Sequence, residues 1–197
     1  MENKFREIGA TTYLAPIPAV VLSCQGKEGK PNLITVGWTG VVNSHPPMIS
    51  VSIRKERYSY SLIRETGEFV LNLVSQDWCR AMDFCGVKSG REVDKFSACG
   101  LTPVPAPGMR TPGVGEAPVF LCCRVEQVLE LGSHDLFLSQ VEQVCVQDRF
   151  FRPDGSIDEA AMHLVAYVHG QYYPLDKPMG FFGYSLASPE VLKRRGF

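Results

Sequence analysis

The sequence predicts a mainly β domain, built as a closed or split barrel with a few short helices. Three observations point there. Seven short runs rich in branched and aromatic residues occur at 19–24, 33–38, 48–53, 69–73, 120–131, 135–145 and 164–169, separated by clusters of Gly, Pro, Asn and Asp. Only two short stretches carry the longer period of a helix. No internal repeat is visible, and nothing alternates strands with long helices as a parallel sheet would require.

Taken in order, the run LITVGWTGVV passes from branched to small residues around Trp38. That pattern suits a strand whose end comes close to a ligand or another backbone, with Gly37 and Gly40 supplying the room. In SYSLIRETG, Leu62 and Ile63 share one helix face before Gly67. In SQDWCRAMDFCG, Ser75 is the expected N-cap and Gly86 the expected stop. The Pro/Gly-rich stretch between Gly100 and Pro118 fits neither a helix nor a central strand and reads as a long surface loop. The strand pattern resumes after it, so residues 1–197 read as one domain, and 197 residues at 45% hydrophobic can close one sizeable core.

Lys and Arg number 20 against 21 Asp and Glu, a net charge of −1. No global field draws the chain to nucleic acid or an anionic membrane, and any anion must be held locally. The N-terminal MENKFREIGATTYL lacks the apolar core of a signal peptide, and no run approaches the ~20 apolar residues of a membrane span. The expected location is the cytoplasm. Seven cysteines, an odd count with no CxxC pair, read as reduced thiols. Cys85, beside Gly86 and Lys88, is the one in a setting that could lower a thiol pKa.

The chain has no Rossmann glycine fingerprint, P-loop or HExxH helix. Its most informative segment pairs two strands, each followed by hydroxyl, amide and basic residues. Arg54, Lys55 and Arg57, then Tyr58, Ser59, Tyr60 and Ser61, follow the strand MISVSI, a set of cations and hydroxyls at a strand-to-helix turn that suits a phosphate. Ser59 is either a phosphate donor there or simply a helix N-cap. Trp38 offers a flat face for a ring system, or fills the core. Asn32 either reads a polar ring edge or closes the turn KPN. Lys95, in the polar loop with Lys88 and Arg91, holds a phosphate or other anion, or pairs with Asp94 or Glu92 at the surface. His134 lies at a turn between two strands, either over a reacting ring or exposed. His45, His163 and His169 show no metal-ligand spacing, and no metal is expected.

The blocks NLITVGWTGVVNSHPPMISVSI, RYSYSLIRETGEFVLNL, SGREVDKF, GSHDLFLSQV and YYPLDKPMGFFGYS, in this order, resemble the flavin reductase-like family, close to the flavoredoxins. The resemblance covers nearly the whole chain. It implies an FMN-binding split β-barrel that forms a homodimer, with the flavin phosphate near the turn after the PPM strand and the ring near the subunit interface. Asn32, Thr35, Trp38 and Thr39 would line the ring and ribityl chain. Arg54, Tyr58 and Ser59 would take the phosphate end, and Lys95 and Tyr167 would complete the pocket. His134 resembles the histidine of the family's GDHxxF block and would face the nicotinamide of NADH or NADPH. The block here reads GSH, and Tyr172 and Tyr173 precede Pro174, so the nicotinamide side departs from the pattern.

On this basis the chain is expected to be an FMN-dependent oxidoreductase that positions nicotinamide against flavin, with no acid–base dyad required. Lys95 or Arg91 is the cation expected to favour an anionic reduced flavin. The alternatives are an FMN electron carrier reduced by a protein partner, or a small-molecule binding module without redox turnover.

Overall fold

The computed structural model describes residues 4–197. Twelve strands and four α-helices follow in the order β1 (Ile17–Pro18), β2 (Val20–Cys24), β3 (Asn32–Val36), β4 (Thr39–Ser44), β5 (Pro47–Ile53), α1 (Tyr58–Thr66), β6 (Glu68–Leu73), α2 (Cys79–Val87), α3 (Lys95–Cys99), β7 (Pro103–Val104), β8 (Gly113–Val114), β9 (Val119–Glu130), β10 (Asp135–Val146), β11 (Val165–Val168), β12 (Gln171–Pro174) and α4 (Pro189–Arg195). Seven of them form one antiparallel sheet in the order β3-β2-β6-β9-β10-β5-β4. Its ends curl around a shared core, where Ile34 and Val36 of β3 meet Ile49, Val51 and Ile53 of β5, and α1 plugs the opening with Leu62 and Ile63. The result is a split barrel: one curved sheet around one core, with the β3 and β4 edges unjoined.

The β2 run VVLSC shows why the alternation of a half-exposed strand is missing. Val20, Leu22 and Cys24 face the barrel core, while Val21 faces a second core formed with α2 and α3, so every residue is buried. A separate three-stranded sheet, β1-β11-β12, lies beside the barrel mouth, with Ile17 opposite Tyr167.

Several sequence expectations are corrected. The strand at 33–38 ends at Val36, and β4 begins at Thr39 and pairs with β5, so the small residues after Trp38 belong to a new edge strand. Ser75 precedes a short 3₁₀ turn, Gln76–Trp78, and makes no side-chain cap. Gly86 lies inside α2, where a Cβ would come within 3.1 Å of Thr35 Cβ; its glycine serves close packing. Gly67 does end α1, in the left-handed region at φ 70° with its N–H bonded to the Ile63 carbonyl.

The stretch at 101–118 is no free surface loop. It contains the β7–β8 ribbon, and Leu101, Ala106, Thr111, Val114 and Ala117 are buried. Polar side chains of the barrel hold it down. Asn72 Oδ1 accepts the Val114 N–H at 2.8 Å, Glu68 accepts from the N–H groups of Arg110 and Thr111, and Ser23 donates to the Pro112 carbonyl at 2.6 Å. Prolines and glycines remove ladder partners, and buried side chains of β2 and β6 satisfy the backbone instead.

Among the described residues, no helix is long and apolar enough to cross a membrane. Nor, among them, do three or more His, Cys, Asp or Glu residues gather into a metal-binding group.

Candidate functional site

A cleft runs along the barrel mouth from the β9–β10 turn to the start of α1. It comprises two adjoining cavities of about 290 Å³ and about 240 Å³ that share Ile34, Arg54 and Arg57 on their walls. The wider cavity is aromatic and apolar, with Trp38, Tyr167, Tyr172, Ile17 and Ile53 around it and His134 at its rim. The narrower one is cationic: Arg54, Arg57, Lys88, Arg91 and Lys95 converge on it against a single carboxylate, Glu56. A chain of net charge −1 thus concentrates five cations in one pocket, a field built for a local anion.

The cationic end is organised by the start of α1. Arg57 is the N-cap residue, in extended backbone, and Ser59 lies in the first turn of the helix. Ser59 is therefore no N-cap. Its hydroxyl is buried and accepts a 2.8 Å hydrogen bond from the Asn32 amide, which ties α1 to the first residue of β3. The first N–H groups of a helix have no intrahelical partners, and here they adjoin the cations.

Lys95 is 3% exposed. Its ammonium donates to the carbonyls of Leu33 at 2.6 Å and Cys85 at 2.7 Å, and no third acceptor faces it among the described residues. Burial lowers its pKa from the ordinary lysine value. The surface ion pair expected for it belongs to Lys30, which reaches Asp94 at 3.4 Å. A buried ammonium with one uncommitted N–H on the cleft wall calls for an anionic or strongly accepting ligand.

At the aromatic end the His134 ring packs on Trp38, with ring centroids 4.4 Å apart. Ser133 Oγ lies 2.9 Å from His134 Nδ1. Burial, then the Arg54 guanidinium, holds the imidazole below its usual pKa, so it meets the cleft neutral at pH 7. Asp135, next in the chain and fully buried, fixes this turn: Tyr60 donates to it at 2.6 Å, and Lys55 lies 3.5 Å from it. Lys55 thereby points away from the cleft, unlike Arg54 and Arg57.

Of the residues singled out from the sequence, Thr35, Trp38, Arg54, His134 and Tyr167 line the wider cavity, and Asn32, Arg54, Tyr58, Ser59 and Lys95 the narrower one. The Thr35 hydroxyl donates to the Met82 carbonyl. Thr39 lines neither cavity; its hydroxyl donates to the Ser50 carbonyl at 2.7 Å within the β4–β5 pair. Cys85 is sealed, and burial pushes its thiol up to about 12, the reverse of the lowering its neighbours suggested.

Sequence reasoning missed Gly90 and Tyr172. A Cβ on Gly90 would overlap Asn32 Oδ1 and lie 2.9 Å from the Tyr58 ring, so this loop can pass only as glycine. Tyr172 donates to Asp83 at 2.8 Å and closes the cleft beside Tyr167. The turn-like SGRE was a visible signal for the first; a contact between β12 and α2, 89 positions apart in the chain, left none for the second.

Aromatic walls at one end and a cation-lined helix start at the other give a split-barrel cleft whose shape and charge suit a planar ring carrying an anionic group. Residues 13–176 match the flavin reductase like domain, and the chain belongs to that family. Flavoredoxin of Desulfovibrio vulgaris (Miyazaki F) is 30% identical, with a TM-score of 0.86 over 93% of this chain and 100% of that one. Flavoredoxin from Methanosarcina acetivorans is 26% identical, with a TM-score of 0.81 over 95% of this chain and 100% of that one. An NADPH-flavin oxidoreductase from Streptomyces viridifaciens is 30% identical over 71% of this chain and 72% of its own length.

Proposed function

We propose that the chain is an FMN-dependent oxidoreductase of the flavin reductase/flavoredoxin type, taking electrons from NADH or NADPH and passing them to a flavin or other acceptor. The observation that carries this is the polarised cleft: five cations at the α1 start, joined to an aromatic cavity within the same barrel mouth.

The residues fit FMN. Arg54, Arg57, Tyr58 and Ser59 would hold its phosphate, with Asn32 setting Ser59 in place; Trp38 and Tyr167 would flank its ring system. When bound, FMN supplies the two-electron chemistry that side chains lack. Lys95 offers its remaining N–H to negative charge on the ligand, and neutral His134 at the rim orients the electron donor by hydrogen bonding. Tyr172, held by Asp83, narrows the entrance and excludes water.

A homodimer accompanies this reading. β4 is a sheet edge, and it exposes Val41 (82%) and Val42 (50%) beside Trp38 (45%), an apolar edge that a second copy would cover. We place the protein in the cytoplasm, since all seven cysteines are unpaired, as a reducing compartment keeps them. The second reading, an FMN electron carrier reduced by a protein partner, is favoured by the flavoredoxin likeness, which spans more of the chain than the reductase likeness does.

The test is an absorbance spectrum of the purified protein, followed anaerobically through additions of NADH and then NADPH. Flavin bands that bleach with a nucleotide are the expected result. Bands that persist transfer the protein to the carrier reading, and a colourless protein that takes up no added FMN overturns both.

A further inference from the structure

Helix α2 holds side chains from both ends of the cleft. Near its C-terminus the Cys85 carbonyl accepts from the buried Lys95 ammonium at 2.7 Å, and the Gly86 carbonyl accepts from Arg57 at 3.4 Å. The last carbonyls of a helix lack intrahelical partners and lie at the negative end of its dipole, so cations suit them. One turn earlier the Met82 carbonyl accepts from the Thr35 hydroxyl, and Asp83 Oδ1 accepts from the Tyr172 hydroxyl at 2.8 Å. Thr35 and Tyr172 line the wider cavity, and Arg57 and Lys95 line the narrower one.

Tyr172 reaches α2 from an edge strand. β12 pairs with β11 on one side, ends its three-stranded sheet on the other, and exposes all four of its residues. The base of the β11–β12 hairpin is tied by backbone to the chain just after β6: Val165 donates its N–H to the Val74 carbonyl, and Gln76 donates to the His163 carbonyl. At the other end the tip turns through left-handed backbone at His169 (φ 42°) and Gly170 (φ 92°), where Tyr13, itself 67% exposed, stacks on His169. Tyr172 stands opposite Tyr167, next to that tip. Its bond to Asp83 faces solvent, with Tyr172 37% exposed, so water competes for both groups and the bond opens and closes. The Tyr60–Asp135 pair at 2.6 Å differs, because Asp135 is fully buried and the turn it fixes stays fixed.

We infer that Asp83 is a positioning residue: through Tyr172 it latches the free end of the β11–β12 hairpin to α2, and this latch sets how fast a ligand enters and leaves the wider cavity. With FMN as the ligand, on the reading proposed above, the latch governs flavin exchange. A latch made equally with the cleft empty or filled cancels from the affinity and shows in both rates. A side chain that touches the ligand acts mainly on its departure. The rigid part of the device is α2, which Lys95, Arg57 and Thr35 tie to the rest of the cleft wall.

The experiment compares the wild type with Asp83→Ala, Asp83→Asn and Tyr172→Phe. Hydrogen–deuterium exchange of the purified full chain is read over the hairpin, residues 165–174. Exchange there should be faster in Asp83→Ala and Tyr172→Phe. It should return toward the wild-type rate in Asp83→Asn, whose amide oxygen still accepts from the phenol. Stopped-flow fluorescence then follows FMN uptake and release. Both rates should rise about three- to tenfold in Asp83→Ala and Tyr172→Phe, the range one solvent-facing hydrogen bond supports, with the dissociation constant little changed. Hairpin exchange that is the same in all four proteins overturns the latch. Faster release with unchanged uptake and an equal loss of affinity overturns the gate and makes Tyr172 a binding contact. Failure of all four proteins to bind FMN overturns the proposed cofactor and its gating, while hairpin exchange still decides the latch.

Discussion

Ser59 and Asn32 form a buried polar pair at the cationic end of the cleft, and each depends on the other for satisfaction. In Ser59→Ala the Asn32 amide loses its acceptor in a buried setting, at a cost of about 1–3 kcal/mol in stability. Urea denaturation reads that cost. Affinity should fall more for FMN than for riboflavin, because only FMN carries a phosphate; equal losses would confine Ser59 to a structural role. His134 has a folded pKa below the ordinary 6.5, so the unfolded chain takes up a proton first as pH falls. Its contribution is whole above the ordinary value and is lost as pH drops through the window down to the folded value. An NMR titration should place the His134 midpoint below 6.5, and His134→Gln should flatten stability across that window.

At the scale of elements, the segment at 101–118 and the loop after α2 are held by side chains of other strands. Asn72 binds the Val114 N–H and donates to the Val21 and Val70 carbonyls, joining β2, β6 and β8 at one buried point. Asn72→Ala leaves these groups unpaired and should cost about 1–3 kcal/mol or more. Limited proteolysis should then cut within 101–118, where the wild-type protein resists. Gly90 makes the loop after α2 pass against Asn32 and Tyr58. Gly90→Ala must displace the Asn32 side chain, and the expected result is a marked loss of FMN binding in a fluorescence titration, with the circular dichroism spectrum of the barrel retained.

For the whole molecule, the feature that bears on assembly is the exposed β4 edge. β4 carries Val41 and Val42 outward next to the aromatic cavity. If a second copy covers that edge, Val41→Lys puts a charge into the interface, where desolvating it costs more than the surface contact returns. Sedimentation should show a dimer for the wild type and a monomer for Val41→Lys, with the monomer releasing flavin more readily. A wild-type monomer at micromolar concentration would remove the dimer from the proposal.

The amino-acid sequence by itself determined the strand-rich class, the cation run after MISVSI, the αL stop at Gly67 and the family-like blocks, because these rest on local periodicity, backbone preference and residue order. Even there, boundaries shifted where the cause was distant. Gly86 read as a stop yet packs against Thr35, and Ser59 read as a possible cap yet pairs with Asn32. Tertiary structure alone decided that Lys55 leaves the cleft while Lys95 enters its wall, and that the Pro/Gly-rich stretch is pinned from beneath. The physical reason is the same in each case. A side chain's partner is set by the curl of the sheet and the angle of the helices upon it, and neither quantity is written in any window of neighbouring residues.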